Sequence, residues 1–333
     1  QSISSIFNYK SKKVKQADFA SKSKEYLNVK SYKFPILKLS IAPQNIKKLN
    51  LIGKQALKHG IYVAKDKDWI PAYLKYHGVT EPIKVSLRLK GKWNDHRSEE
   101  GWSMLVKVKN GNYVLGMDKF QLQNDKTRKG HKEFLLKKQA RNLGLISPET
   151  LYVNVEINGR QVGMMMMEQS LTASMLEKQH RHYGPILAFD SDPHWQQLAL
   201  QYSLGQGSSM SPFQDIRSIH APAGENSYIG NINLKAFQSK KILKKNSQLY
   251  YEAIATMRGY LEKKLPIHQV FNLVKLGRYM ALMHTWESKY SFYFVNMKWY
   301  FDPLTKLFEP IVTEALPGSA QAPTKPYLYK PAF

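Results

Sequence analysis

Cysteine is absent from the 333 residues. Disulfides, thiolate metal sites and cysteine nucleophiles are therefore excluded. No run reaches the roughly 18 consecutive apolar residues of a membrane-spanning helix. Acids are scarce beside bases: Asp plus Glu number 25 and Lys plus Arg 50, for a formal net charge of +25. Such a field favours anionic partners, whether nucleic acid, phosphate-bearing ligands, acidic polymers or an anionic membrane surface, and does not choose among them. A hydrophobic fraction of 43% supports a real core, and the length suits one large domain or two lobes. The chain opens on Gln rather than Met, as a processed or shortened chain does. A secreted or cell-envelope location is the expectation that goes with it.

What is present is organised around residues 291–316, SFYFVNMKWYFDPLTKLFEPIVTEAL. Two apolar strands flank Asp302-Pro303-Leu304-Thr305, where Pro fixes φ and Asp bonds its own backbone. The hairpin carries Asn296 near its start and Glu314 near its end. Both offer the oxygen ligands that Mg²⁺ takes. In phosphoryl transfer an amide and a carboxylate hold such ions. A surface hairpin with two solvated polar residues is the plainer alternative.

Upstream, residues 1–33 read as a basic leader and 34–41 as a strand. A short helix follows within 42–59 and closes at Gly60. Ile83, Val85, Leu87 and Leu89 alternate with Lys84, Ser86, Arg88 and Lys90, which predicts a strand with one basic face. A glycine turn with Lys90, Lys92 and His96 comes next, then an alternating strand over 102–109 with Lys107 inside it. Asn110-Gly111 signals a hairpin, and 120–123 looks like a third strand. Lys107 suits a strand lysine that holds nucleotide phosphates; it equally suits the wet face of an antiparallel sheet.

Residues 131–144 predict an amphipathic helix stopped by Gly144, with Glu133 in its first turn. There Glu133 either pairs with a strand lysine or favours the helix N-terminus electrostatically. Asn158-Gly159 joins 151–157 to 162–167 as a hairpin. Four consecutive methionines in that second strand give a soft surface, useful around a flat ring or as core filler. Glu168 ends the strand, and 171–180 is helical. Residues 184–229 are Gly-, Ser- and Pro-rich and read as loop; SLGQGSS there lacks the features of a phosphate loop. Stretches 234–264 and 267–287 are helical, with His284 and Glu287 at the end of the second, and 317–333 is an extended Pro-rich tail.

In order along the chain, RLKGKWNDH (88–96), WSMLVKVKNG (102–111), KTR (126–128), EFLLKKQARNLGL (133–145), YVNVEINGRQVGMMMMEQS (152–170), GPILAFD (184–190) and NMKWYFDPLTKLFEPI (296–311) resemble the CotH-like atypical kinases, the spore-coat protein H group. The resemblance implies an α+β, two-lobed, atypical protein-kinase-like fold. An antiparallel-sheet lobe with one helix would span 34–170. A mainly helical lobe carrying the metal-site hairpin would span 171–316. The implied cofactors are ATP with Mg²⁺ or Mn²⁺, and the implied reaction is phosphorylation of a protein, expected to be acidic.

Residue by residue, the resemblance places Lys107 at the strand lysine, Glu133 at its helix partner, Glu168 at the end of the hinge strand and Asn296 at the metal-binding amide. With Arg88 and Lys90, these make Arg88, Lys90, Lys107, Glu133 and Glu168 the candidate nucleotide-binding residues. Asn296 and Glu314 are the candidate metal ligands, and His284 and Glu287 the candidate catalytic residues. The chain departs from the pattern where Glu314 and His284/Glu287 stand in place of aspartates. Glu for Asp shifts the oxygens beyond the roughly 0.5 Å tolerance of a preorganised site. Two readings stay open: an active phosphotransferase, or a scaffold that binds nucleotide or an anionic partner without catalysis. Nucleic-acid binding ranks third, since no recognition motif accompanies the charge.

Overall fold

The computed structural model describes residues 34–92, 96–98, 101–124, 127, 131–190, 192–204, 234–236, 247–292 and 296–313. The expected leader (1–33), the tail (317–333), Glu314 and most of the 184–229 loop lie outside them. In chain order the elements are β1 (Ile36–Ser40), α1 (Pro43–His59), β2 (Ile70–Tyr76), β3 (Ile83–Leu89), β4 (Arg97–Ser98), β5 (Gly101–Trp102), β6 (Met104–Val108) and β7 (Lys119–Asn124). They continue with α2 (His131–Asn142), β8 (Thr150–Ile157), β9 (Arg160–Gln169), α3 (Ala173–Lys178), β10 (Ile186–Phe189), α4 (Asp192–Ser203) and β11 (Leu234–Ala236). Last come α5 (Ser247–Leu261), α6 (Leu273–Thr285), β12 (Lys298–Phe301) and β13 (Phe308–Ile311).

Seven strands close into a barrel in the order β1-β2-β3-β6-β7-β9-β8. Every neighbouring pair is antiparallel except β1 and β8, which run parallel. Alternation sends one side of each strand inward. Leu37, Leu74, Leu87, Val106, Phe120, Leu122, Val153 and Met167 fill the interior and are wholly buried. Helix α1 lies against this barrel through Leu49, Gly53 and Ala56. A Cβ at Gly53 would fall 2.2 Å from the Trp102 ring, so glycine is what lets the helix seat there.

The closing seam depends on one turn. Asn158 and Gly159 both take left-handed φ, 50° and 82°, and so turn β8 tightly into β9. The Asn158 side chain then reaches β1's end: its Nδ2 donates to the Ile41 carbonyl at 2.7 Å and its Oδ1 accepts from the Ile41 amide at 2.8 Å.

Strands β4 and β5 pair as a two-stranded antiparallel sheet, and the remaining described strands form a four-stranded sheet, β11-β10-β12-β13. Its apolar side builds a second core with α6 and α5. Phe271 sits between Tyr260 and Trp299, with ring centroids 4.9 Å away in each case, and Phe301 and Phe308 continue the stack. The α6 helix starts late, at Leu273, because Asn272 caps it by accepting from the Lys275 amide at 3.1 Å.

The two-lobed kinase-like architecture is thereby corrected. The first part is a closed seven-stranded mixed barrel, not an open antiparallel lobe, because β1 hydrogen-bonds to β2 on one side and β8 on the other. The later part is not a helical lobe carrying a lone hairpin. The hairpin forms, as β12 and β13, but it belongs to a four-stranded sheet, and Leu234–Ala236 is a strand where helix was expected. The described residues hold six α-helices shared between these parts.

Replacing Asn158 by Gly keeps a residue suited to the turn and removes the clasp on Ile41. We expect Asn158→Gly to cost about 1–3 kcal/mol in urea unfolding; an unchanged midpoint would show that the clasp contributes nothing.

Candidate functional site

The chemistry gathers on the outer face of the barrel, where β3, β6, β7, β9 and β8 turn their polar positions outward. In β7 these are Lys119, Gln121 and Gln123, alternating with the inward Phe120 and Leu122. Register sets their neighbours: Lys107 lies opposite Lys119, and Gln121 lies opposite Glu168, which in turn faces Thr150. Helix α2 covers the β8 end of this face, with Phe134 against Tyr152 at 5.4 Å.

Under α2 lies a buried ion network. Lys137 is wholly buried, and its Nζ stands 2.7 Å from Glu133 Oε1 and 2.9 Å from Glu168 Oε2. Gln123 Nε2 donates to the same Glu168 oxygen at 2.5 Å. Burial alone would lower the Lys137 ammonium; the Glu133 and Glu168 carboxylates outweigh it and hold it above the ordinary lysine value. Around the network the second polar atoms are idle. Gln121 Oε1, Gln123 Oε1 and Thr150 Oγ1 are buried without a hydrogen-bond partner, an expensive condition for a folded chain to leave unfilled.

Beside the network the face turns basic. Arg88 is half-buried, its guanidinium 5.0 Å above the Trp69 ring, with Nε lacking a hydrogen-bond partner. Lys107 is exposed. Lys119 is more sheltered: burial, with Arg88 and Lys107 nearby, lowers its ammonium below the usual 10.5 although Asp118 opposes this. Among the described residues none of the three makes an ion pair. Lys90 sits at the edge of this face, in a loop held from below. The Arg97 guanidinium donates to the carbonyls of Lys90, Gly91 and Lys92 at 3.3, 2.9 and 3.2 Å. Lys92 reaches Asp192 of α4 at 3.1 Å.

No family model matches the chain, and no curated protein matches it.

The structure brings together four of the expected nucleotide-site residues at one barrel face: Arg88, Lys107 and Glu168 on its strands and Glu133 on the helix that covers it. The lysine that Glu133 meets is Lys137 of its own helix, not Lys107. His284 and Glu287 lie elsewhere, exposed at the end of α6, where Trp286 Nε1 donates to Gln139 Oε1 at 2.7 Å. Gln139 lies two residues, or about 200° of helix, from Lys137, so this contact is on the opposite side of α2. Asn296 is nearly buried just ahead of β12. Extending the β12–β13 register sets it opposite Thr313, whose buried Oγ1 has no hydrogen-bond partner. Among the described residues no group of three or more His, Cys, Asp or Glu side chains gathers to hold a metal ion. Asn296 and Thr313 offer neutral oxygens, and Glu314, the expected acidic ligand, lies outside the described residues.

The tetrad of methionines divides. Met165 and Met167 point into the barrel as core, Met166 is buried on the outer side, and Met164 is exposed. Lys137 and Lys119 escaped the sequence reading, yet each left a signal. Lys137 lies four residues after Glu133, the spacing of a helical ion pair, and Lys119 belongs to the alternation KFQLQN.

Removing the ammonium leaves two buried carboxylates uncompensated. We expect Lys137→Met to lose about 3–5 kcal/mol at neutral pH. In the parent chain the Lys137 contribution is fully present below 10.5 and is lost as pH rises through the elevated folded value. Urea titrations at several pH values check both; a small, pH-independent loss would contradict the assignment.

Proposed function

We propose that this protein binds a phosphate-bearing ligand of the nucleotide class on the outer barrel face, acting as a binding protein. One observation carries the reading: Arg88, Lys107 and Lys119 converge from adjacent strands without ion-pair partners. Three donors on three strands form a rigid cationic surface suited to an oligophosphate. The resemblance to CotH-like kinases, which implies ATP, rests on the motifs alone and agrees with this ligand class.

The residues have separable roles. Lys107 and Arg88 supply exposed and half-buried charge for phosphate oxygens. Lys119, held below its normal basicity by burial and by Arg88 and Lys107, gains most from an anion, since the anion offsets the charge of those neighbours. Glu168 does not face the ligand with free charge; its carboxylate is committed to Lys137 and Gln123. Phosphoryl transfer to a protein is the second reading. Asn296, nearly buried at the head of β12, favours it. That reading also needs Glu314, outside the described residues, and a route from His284 or Glu287 to the basic face.

Calorimetric titration with ATP in the presence of a chelator tests the binding reading. We expect Lys107→Gln and Lys119→Gln each to weaken ATP about tenfold, the worth of one charge-assisted hydrogen bond. Parent affinity should begin to fall as pH rises, before the ordinary lysine value of 10.5 is reached, and Lys119→Gln should abolish that early fall. Unchanged affinity in both variants would overturn the site. Transfer of label from ATP to an added protein would replace binding by phosphotransfer as the function.

A further inference from the structure

Helix α1 presents a surface that the barrel site does not use. Its sequence, PQNIKKLNLIGKQALKH, contains no acid. Its inner side, Leu49, Gly53 and Ala56, is consumed by the barrel. Its outer side carries Lys47, Leu51, Lys54 and Lys58 at spacings of four, three and four residues, one stripe along a helix. Leu51 is 59% exposed in the middle of that stripe, and Leu57 is 42% exposed beside it. Among the described residues Lys47, Lys54 and Lys58 make no ion pair. Lys48 is occupied otherwise, donating to the Lys67 carbonyl. Helix α4 packs against α1 and carries Leu204, 61% exposed, past its last turn.

We propose that the outer face of α1 is a docking surface for an anionic lipid bilayer. The pattern is an exposed leucine ringed by lysines on a rigid helix lying flat on the molecule. An anionic bilayer satisfies both parts at once, with apolar side chains entering the headgroup boundary and ammonium groups meeting lipid phosphates and carboxylates. A phosphate backbone of nucleic acid would use the lysines and leave Leu51 in water. The net charge of +25 adds long-range attraction to the same surface. Gly53 keeps the helix pressed to the barrel at Trp102, so the stripe is presented without unfolding anything.

The test is co-sedimentation of the full chain with phosphatidylcholine vesicles carrying about one-third phosphatidylserine, beside vesicles of phosphatidylcholine alone. The parent should partition to the anionic vesicles only. Each lysine at such a surface is worth about fivefold, so K47Q/K54Q should weaken partitioning about 25-fold. Leu51→Ser should weaken it about fivefold. The double variant K75Q/K138Q removes the same charge from exposed positions on β2 and α2 and should behave as the parent. Leu51, Lys47 and Lys54 are exposed, so their substitution leaves the fold intact, which circular dichroism confirms independently. The proposal is overturned by absence of partitioning in the parent. Equal weakening in K75Q/K138Q would also overturn it, showing that only net charge matters. So would insensitivity to Leu51→Ser with duplex DNA displacing the vesicles, which would make the stripe a nucleic-acid surface.

Discussion

The arrangement depends on one buried ammonium. Lys137 has no solvent exposure, so its charge must be met entirely by protein, and it is met twice, by Glu133 from its own helix and Glu168 from β9. A buried network of this kind adds little net stability compared with apolar side chains of the same volume. What it fixes is position. Helix α2 contributes Leu136 and Ala140 to the core shared with α6 and β12, while its Lys137 locks to the barrel wall. A rotation of α2 by one residue would strand two carboxylates and an ammonium in the interior. The helix is therefore pinned in one register against the barrel.

That pin also shapes the ligand face. Because Lys137 claims Glu168, that carboxylate offers no free counter-charge to Lys119 and Lys107. Asp118 is the acid felt by Lys119, and it already accepts from Thr172 and Ser174 at 3.0 and 2.8 Å. The face is thus polarised over a few strands, from a satisfied ionic knot under α2 to three cations without ion pairs. In a chain with a formal charge of +25, exposed lysines are ordinary. Lys119 is different because it is sheltered and still faces two cations, a local concentration of charge that a bound anion relieves.

Local features were legible in the sequence. The Asn158-Gly159 turn, the basic alternation of β3, the amphipathic α2 and the return of β12 into β13 each follow from residue chemistry within a few positions. Closure was not legible. A strand with one covered and one wet side reads alike in an open sheet and in a barrel, and the parallel pairing of β1 with β8 joins residues more than a hundred positions apart. The same limit applied to the site. Arg88, Lys107, Glu133 and Glu168 were individually noticeable, but the partner choice of Glu133 was decided by packing. For Lys137 the sequence holds only its four-residue spacing from Glu133. Its true place follows only once β9 is known to run beneath α2.

The most direct measurement is a crystal structure of the protein soaked with ATP. The account predicts phosphate density within hydrogen-bond reach of Lys107 and Lys119, with the Lys137–Glu168 contact undisturbed beneath it. Nucleotide bound on another surface, or density absent from the barrel face at saturating ATP, would contradict it.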